Sequence, residues 1–375
     1  MTLTHRPASP IAVIAANSAW NIANFRAPLI TALRNDGWHV VALAPGDGSI
    51  AALETLGAEF VPIGIESSGT SPVGDARLLA SYLRVLRRLR PKLFLGFTIK
   101  PNVYGSIAAH LLGIRVVNNI SGLGTAFMKP GPLNWLVTRL YKLSLRGSVR
   151  VFFQNPHDRD LFVSGGLVQA DQATVIPGSG IDLERFKPPS RARQQNLPFR
   201  FLFIGRLLRD KGLVEYAEAA RLLRPSWPNV EFAVLGFAGS DNPSAVPMSE
   251  VRRWEGENLV SYLGETDDVR PLITDSDCIV LPSYREGLPR SLLEAAAMAR
   301  PMIATDVPGC RDVVVNGENG FLCEPRSASS LASAMEAMLR LGPDERQAWG
   351  LKARTMVESK FDQQLVVDAY LQAAN

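Results

Sequence analysis

At 375 residues the chain is long enough for two domains, and 46 % hydrophobic with 20 % charged residues is the composition of a globular protein that buries a large core. Disordered and fibrous classes are excluded, and no run approaches the roughly 18 to 20 apolar residues that span a bilayer. The formal charge of +4 conceals an asymmetry: residues 1–190 carry 19 Lys and Arg against 11 Asp and Glu, and the remainder 21 against 25.

No acidic residue lies between Asp75 and Asp158, whereas Arg77, Arg84, Arg87, Arg88, Arg90, Lys92, Lys100 and six further basic residues do. A basic N-terminal half predicts an anionic partner; membrane phosphates, nucleic acid and a phosphorylated substrate all satisfy charge alone. Cys278, Cys310 and Cys323 show no C-x-x-C spacing, and two of them sit in apolar strand-like runs. Neither disulfides nor zinc is expected, and the protein is expected to remain in the cytosol.

In chain order, "IAVIAA", "FRAPLITALRNDG", "HVVALA", "IAALETLG" and "EFVPI" alternate strand and helix patterns, and the alternation continues through "KLFLGF", "NVYGSIAAHLLG", "IRVVNNI" and "VRVFFQN" to "ATVIP". This is the pattern of βαβ units around a parallel sheet. The polar, proline-containing "KPPSRARQQNLP" interrupts it and reads as a linker. The rhythm restarts with "FRFLFIG", "LVEYAEAARLL", "VEFAVLG", "CIVLPS", "SLLEAAAMA" and "PMIAT". Two Rossmann-like, doubly wound α/β domains are expected, over residues 1–188 and 189–358, facing a cleft, with a final helix over 359–375 that folds back on the first domain.

Residues 201–212, "FLFIGRLLRDKG", read as a strand, a glycine turn, and Arg206 and Lys211 projecting from the loop that enters a helix at Gly212. Arg presents a planar fork to phosphate oxygens, Lys a point charge, and a helix N-terminus free N–H groups, so the set suits a diphosphate. An isolated Arg and Lys at this spacing are, equally, ordinary solvated loop charges. Residues 284–297, "YREGLPRSLLEAAA", place Glu286 in a turn and Glu294 on a short helix. Ionised carboxylates accept from vicinal hydroxyls of a ribose or hexose. Gly287 admits close backbone approach and Pro289 suits a first helical turn. Because "SLLEAAAMA" is apolar almost all round, Glu294 needs a partner.

The motif "FIGRLLRDKG" followed by Glu286-x7-Glu294 resembles the signature of the retaining glycosyltransferases of family 4, which have the GT-B fold and use nucleotide sugars. "TVIPGSGIDLERFKP" and "VFFQNPHDRDLF" resemble the segments that close the first domain of those enzymes, and the similarity runs through most of the chain. "TIKPNVYG", "NNISGLGTAF" and "SYREGLPR" are similar to the bacterial branch that adds a sugar to a polyprenyl diphosphate-linked saccharide. The resemblance implies that Arg206 and Lys211 hold the donor diphosphate, that Glu294 binds the ribose, and that Glu286 contacts the transferred sugar, with Gly287 and Leu288 close to sugar and phosphates. It further implies a retaining hexose or N-acetylhexosamine transfer, from a uridine-linked donor, with no metal, no cofactor and no protein nucleophile. A lipid-linked saccharide acceptor and the anionic inner face of the cell membrane are the implied partners; nucleic acid is not, since no groove-reading or base-stacking module is evident.

Two stretches depart from the family. Asn17 and Ser18 stand where many relatives have a Gly-Gly turn, and Ser121, preceded by Asn118 and Asn119, stands where many have a histidine. These residues are candidates for contact with sugar or acceptor, and Lys100 for the acceptor's phosphate. Asp275 and Asp277 form a D-x-D pattern but precede a strand, so they read as a helix-to-strand corner and no metal is expected. "NWLVTRLYKLSLR", with Trp135, Leu136, Leu140 and Tyr141, is an amphipathic basic helix compatible with a core packing role or with anionic lipid. Epimerisation or hydrolysis of a nucleotide sugar, and an inactive membrane- or RNA-binding relative, are the alternatives to transfer.

Overall fold

The computed structural model describes residues 9–65, 71–122, 131–189, 197–239 and 242–375, without the side chains of residues 132 and 133. The chain divides into two compact units, Met1–Ser179 with Gln363–Asn375, and Gly180–Asp362. Among the described residues, the first carries seven parallel strands in the order β3-β2-β1-β4-β5-β6-β7: β1 Ile11–Ala15, β2 His39–Ala44, β3 Glu59–Pro62, β4 Leu93–Phe97, β5 Arg115–Ile120, β6 Arg150–Phe153 and β7 Ala173–Val175. The second carries six, in the order β10-β9-β8-β11-β12-β13: β8 Arg200–Ile204, β9 Glu231–Leu235, β10 Ser261–Tyr262, β11 Cys278–Leu281, β12 Met302–Thr305 and β13 Gly320–Cys323. Both are doubly wound, with the order reversing beside β1 and beside β8.

Continuous apolar strands are what a sheet covered on both faces requires, because alternate residues must both be buried. In the first unit Ala12, Ile14, Val40, Leu95 and Phe97 point to one core and Val13, Ala15, Val41, Leu43 and Phe94 to the other. The helix Ala19–Asn35 covers the former, and Pro72–Leu89, through Leu78, Tyr82 and Leu86, the latter. The second unit repeats the arrangement, with Phe201, Phe203, Phe232 and Val280 under one helical layer and Leu202, Leu235, Ile279 and Leu281 under the other.

The chain changes unit earlier than composition suggested, between Ser179 and Gly180. Ile181 bridges to Asp362 and is fully buried with Phe186 and Phe361 in the second core, so 180–188 belongs there and not to the first domain. The polar stretch read as a linker lies largely outside the described residues. The final helix, Gln363–Ala374, packs Val366, Tyr370 and Ala373 against Leu29, Phe97 and Phe152 of the first unit.

Candidate functional site

The second unit gathers three loops at the carboxyl end of its sheet, following β8, β11 and β12. Arg206 follows Gly205 at the end of β8 and is exposed, with no ion pair among the described residues. The turn is tight: a Cβ on Gly236 would lie 1.7 Å from the Gly205 carbonyl oxygen, so this strand crossing admits only glycine. A short 3-10 turn, Arg209–Lys211, then delivers Lys211 to Gly212, whose φ of +75° opens the helix Leu213–Leu223. A side chain at Gly212 would meet the Pro282 carbonyl oxygen at 2.0 Å. The Lys211 turn thus sits directly on the end of β11.

Backbone hydrogen bonds continue the contact. Tyr284 N–H and the Ser283 hydroxyl both donate to the Asp210 carbonyl, at 2.9 and 3.1 Å, and Thr305 Oγ1 donates to the Ser283 carbonyl. Gly309, at φ +83°, leaves room for the backbone of Glu286 and Gly287, because a Cβ there would lie 2.5 Å from the Gly287 oxygen. Held in this way, Lys211 Nζ donates to Glu286 Oε1 at 2.5 Å, with side chains 23 % and 11 % exposed. The expectation assigned Lys211 to phosphate and Glu286 to sugar separately; the structure makes them one ion pair.

Glu294 is buried on the helix Arg290–Ala297. Its partner is Arg290, one turn earlier, whose Nε donates to Oε1 at 2.9 Å. Burial pushes the Glu294 carboxyl above the ordinary carboxylate range and Asp268 pushes the same way, while Arg290 and Arg185 oppose them. Asp268 is itself clamped by Arg270 through Nε and Nη2, both at 2.7 Å. Leu288 packs on the apolar core beside this helix.

The sequence reading missed Arg290, Arg185, Asp268 and the support of the Tyr284 loop. Arg290 was legible as the cation at i−4 from a glutamate that needed one. Tyr284 was not: its hydroxyl donates to Glu215 Oε1 at 2.6 Å and Arg326 lies over its ring at 4.7 Å, contacts that join three distant segments. Cys310, beside Glu286 and Lys211, is buried and its thiol is pushed well up, so it is inert packing.

The first-unit candidates fare differently. Asn118 and Asn119 are fully buried and their amides are used internally: Asn118 Nδ2 donates to Asn102 Oδ1 and Ser106 Oγ, and Asn119 Nδ2 to the Tyr370 hydroxyl, all within 2.8–2.9 Å. They stitch β5 to its neighbours and are not placed to meet a sugar. Ser18 is also structural, capping the helix Ala19–Asn35 by accepting from Asn21 N–H at 3.1 Å. Asn17 and Ser121 are exposed at the carboxyl ends of β1 and β5. Lys100 follows β4 and pairs with Asp75 at 3.0 Å. Of the basic amphipathic helix, Pro132–Leu145, Tyr141 is core, whereas Trp135 and Leu143 are 61 % and 62 % exposed. Asp277 accepts from Arg200 N–H at 2.8 Å and tethers the start of β11.

Comparison with known proteins agrees with this architecture. A model for the group 1 glycosyl transferases matches residues 198–340, and one for the glycosyl transferase 4-like domain matches residues 22–178. The chain is 26 % identical over 367 residues, 94 % of each protein, to the Campylobacter jejuni N,N'-diacetylbacillosaminyl-diphospho-undecaprenol alpha-1,3-N-acetylgalactosaminyltransferase. It is 25 % identical to the Escherichia coli UDP-Gal:alpha-D-GlcNAc-diphosphoundecaprenol alpha-1,3-galactosyltransferase, over 75 % of this chain and 74 % of that one. In fold it matches Anabaena Alr3699/HepE, solved in complex with UDP, at a TM-score of 0.78 and 20 % identity over 97 % of this chain and 98 % of that one. Two family models in tandem over one chain, each on its own parallel α/β unit, with the Lys211, Glu286 and Glu294 loops on the second, lead to one conclusion: the chain belongs to the group 1 glycosyltransferases of GT-B fold.

Proposed function

We propose that the protein transfers a hexose or N-acetylhexosamine, with retention of anomeric configuration and without a metal, from a UDP-sugar to a polyprenyl diphosphate-linked glycan in surface-glycan assembly. The observation that carries the reading is the second-unit site, where the Lys211 and Glu286 loops are joined by an ion pair and the helix that follows carries a buried Glu294 paired with Arg290. Similarity over 94 % and 75 % of this chain to two transferases named for diphospho-undecaprenol acceptors supports the acceptor class.

In this reading the ionised Glu294 accepts hydroxyl hydrogens of the ribose, and the Arg290 guanidinium opposes the burial that favours its neutral form. Lys211, Arg206 and the N-terminus of the helix Leu213–Leu223 face the diphosphate, whose charge grows as the glycosidic bond breaks. Because Glu286 already holds the Lys211 ammonium in place, little reorganisation accompanies that charge development. Glu286 in turn accepts from a hydroxyl of the transferred sugar, with the backbone of Gly287 and Leu288 alongside. The leaving diphosphate oxygen takes the acceptor hydroxyl's proton on the same face of the sugar, so no protein nucleophile enters.

Residues 1–179 and the final helix carry the acceptor in this reading, and Trp135, Leu136 and Leu143 with Arg139, Lys142 and Arg146 rest on anionic lipid at the inner face of the membrane. Among the described residues no helix is long and apolar enough to cross a membrane. The test is incubation of the purified protein, without added metal, with a panel of nucleotide sugars and a polyprenyl diphosphate-linked mono- or disaccharide, with lipid products read by mass spectrometry. Gain of one sugar, of retained configuration, is expected. Donor consumption without lipid product would replace transfer by epimerisation or hydrolysis.

A further inference from the structure

A second polar constellation lies in the first unit, at the carboxyl ends of β2, β3 and β4. Pro45 after β2, Gly64 and Ile65 after β3, and Lys100 after β4 line one groove with Arg77 and Ser81 of the helix Pro72–Leu89. In an open parallel sheet this edge, beside the point where strand order reverses, is where ligands bind. Arg77 is exposed and carries no ion pair among the described residues. Lys100 is mostly buried, and its ammonium donates to Asp75 Oδ1 at 3.0 Å. The other Asp75 oxygen accepts from the Tyr104 hydroxyl at 2.7 Å.

The backbone beside Lys100 is unusual in two ways. Thr98 holds a φ of +67°, a conformation that a β-branched residue adopts only under constraint. Its hydroxyl is buried without a hydrogen-bond partner among the described residues. From Pro101 to Gly105 the chain forms a π-helical turn, a rare form that is frequent at functional sites. Strain and an unsatisfied polar group at one strand end persist where the surroundings impose them, and they cluster at ligand sites.

We propose that this groove binds a phosphate-bearing group through Lys100 and Arg77, with Asp75 as the internal counter-ion that holds Lys100 in position until the anion arrives. Lys supplies a point charge and Arg a planar fork, the pair of donors that suits phosphate oxygens. The chain offers Asp75 as the single acid among thirteen basic residues up to Asp158, so the pairing is a local exception in a basic field. The phosphate comes from one of two sources, the diphosphate of a lipid-linked acceptor or a bilayer headgroup; naming the first rests on the transfer reading above, whereas the site itself does not.

The experiment compares wild type with Lys100→Met, Arg77→Ala and Asp75→Asn. Three readouts are taken: acceptor and donor KM with a farnesyl diphosphate-linked N-acetylglucosamine, sedimentation with phosphatidylglycerol vesicles, and affinity for inorganic pyrophosphate with UDP saturating the donor site. Lys100→Met and Arg77→Ala are each expected to raise acceptor KM and the pyrophosphate Kd about tenfold or more, with donor KM unchanged. Asp75→Asn keeps the bond to Tyr104 but releases Lys100, so it is expected to tighten pyrophosphate binding, a gain that a purely structural Asp75 does not produce. Unchanged acceptor KM with reduced vesicle sedimentation assigns the groove to a bilayer headgroup. Unchanged values in all three readouts overturn the site. Should wild type transfer no sugar, the transfer reading fails by itself, and pyrophosphate affinity still decides this one; Arg77 is exposed, so its variant tests the site even if Lys100→Met unfolds.

Discussion

Glu294 sits where burial and its two arginines pull in opposite directions, and the balance has consequences for pH. Its carboxyl titrates above the ordinary carboxylate range in the folded protein, so the folded state binds that proton more tightly than the unfolded chain does. The stabilisation from the neutral form is therefore fully present below the unfolded carboxylate pKa and is lost as pH rises through the higher folded value. Donor binding requires the ionised form, so donor KM is expected to rise as pH falls through that same window, and a pH profile of donor kcat/KM checks it. Glu294→Gln should raise the melting temperature of the ligand-free protein at neutral pH while weakening donor binding about 10- to 100-fold, the worth of a charge-assisted hydrogen bond of about 1.5–3 kcal/mol. An unchanged donor KM would sink the ribose role. Lys211 differs, because its target gains charge only as the bond breaks: Lys211→Ala is expected to lower kcat about 100-fold with a smaller change in donor KM. Wild-type turnover in that variant would remove Lys211 from the diphosphate.

The loops around β8, β11 and β12 show how glycine and short polar contacts convert separate segments into one site. Gly309 is not in the sequence motif at all, yet its missing Cβ is what permits the Glu286 loop to lie where it does. Gly309→Ala places a methyl against the Gly287 carbonyl in a left-handed backbone conformation, a change that costs about 1–3 kcal/mol. Displacement of the Glu286 loop should raise donor KM more than it lowers thermal stability, and kinetics beside a melting curve separate the two effects. Element types and order along the chain were legible, because apolar runs and helical periods alternate cleanly. The chain's passage between units at Ser179 was not, since Ile181 and Phe186 look like any apolar residues in a loop until the second core receives them. Asn118, Asn119 and Ser18 misled for the opposite reason: polar side chains at strand ends resemble ligand contacts, and only their partners reveal a closed hydrogen-bond network and a helix cap.

At the scale of the molecule, stability and charge are both unevenly distributed. The last helix completes the first unit, and Tyr370 is its anchor, edge-on to Phe152 at 4.8 Å and bonded to Asn119. Tyr370→Ala is expected to destabilise that unit by about 3–5 kcal/mol and leave UDP binding by the second largely intact, measured by calorimetry with and without UDP. The helix Pro72–Leu89 turns Arg77, Arg84, Arg87 and Arg88 outward while burying Leu78, Tyr82 and Leu86, so these four charges lie on the surface.

What the sequence by itself determined is the class of the molecule: parallel α/β units, a basic first half, and a spacing of Arg206, Lys211, Glu286 and Glu294 that resembles one enzyme family. Local periodicity and residue chemistry carry that information, because a buried parallel strand and a diol-binding carboxylate each dictate residue types over short stretches. What only the tertiary structure decided is which groups are partnered. Lys211 with Glu286 and Lys100 with Asp75 are separated by 75 and 25 residues, and no local pattern predicts such pairs. Their positions follow from strand order, which brings distant loops to one edge of a sheet, and from the low cost of an ion pair whose partners the fold already holds together.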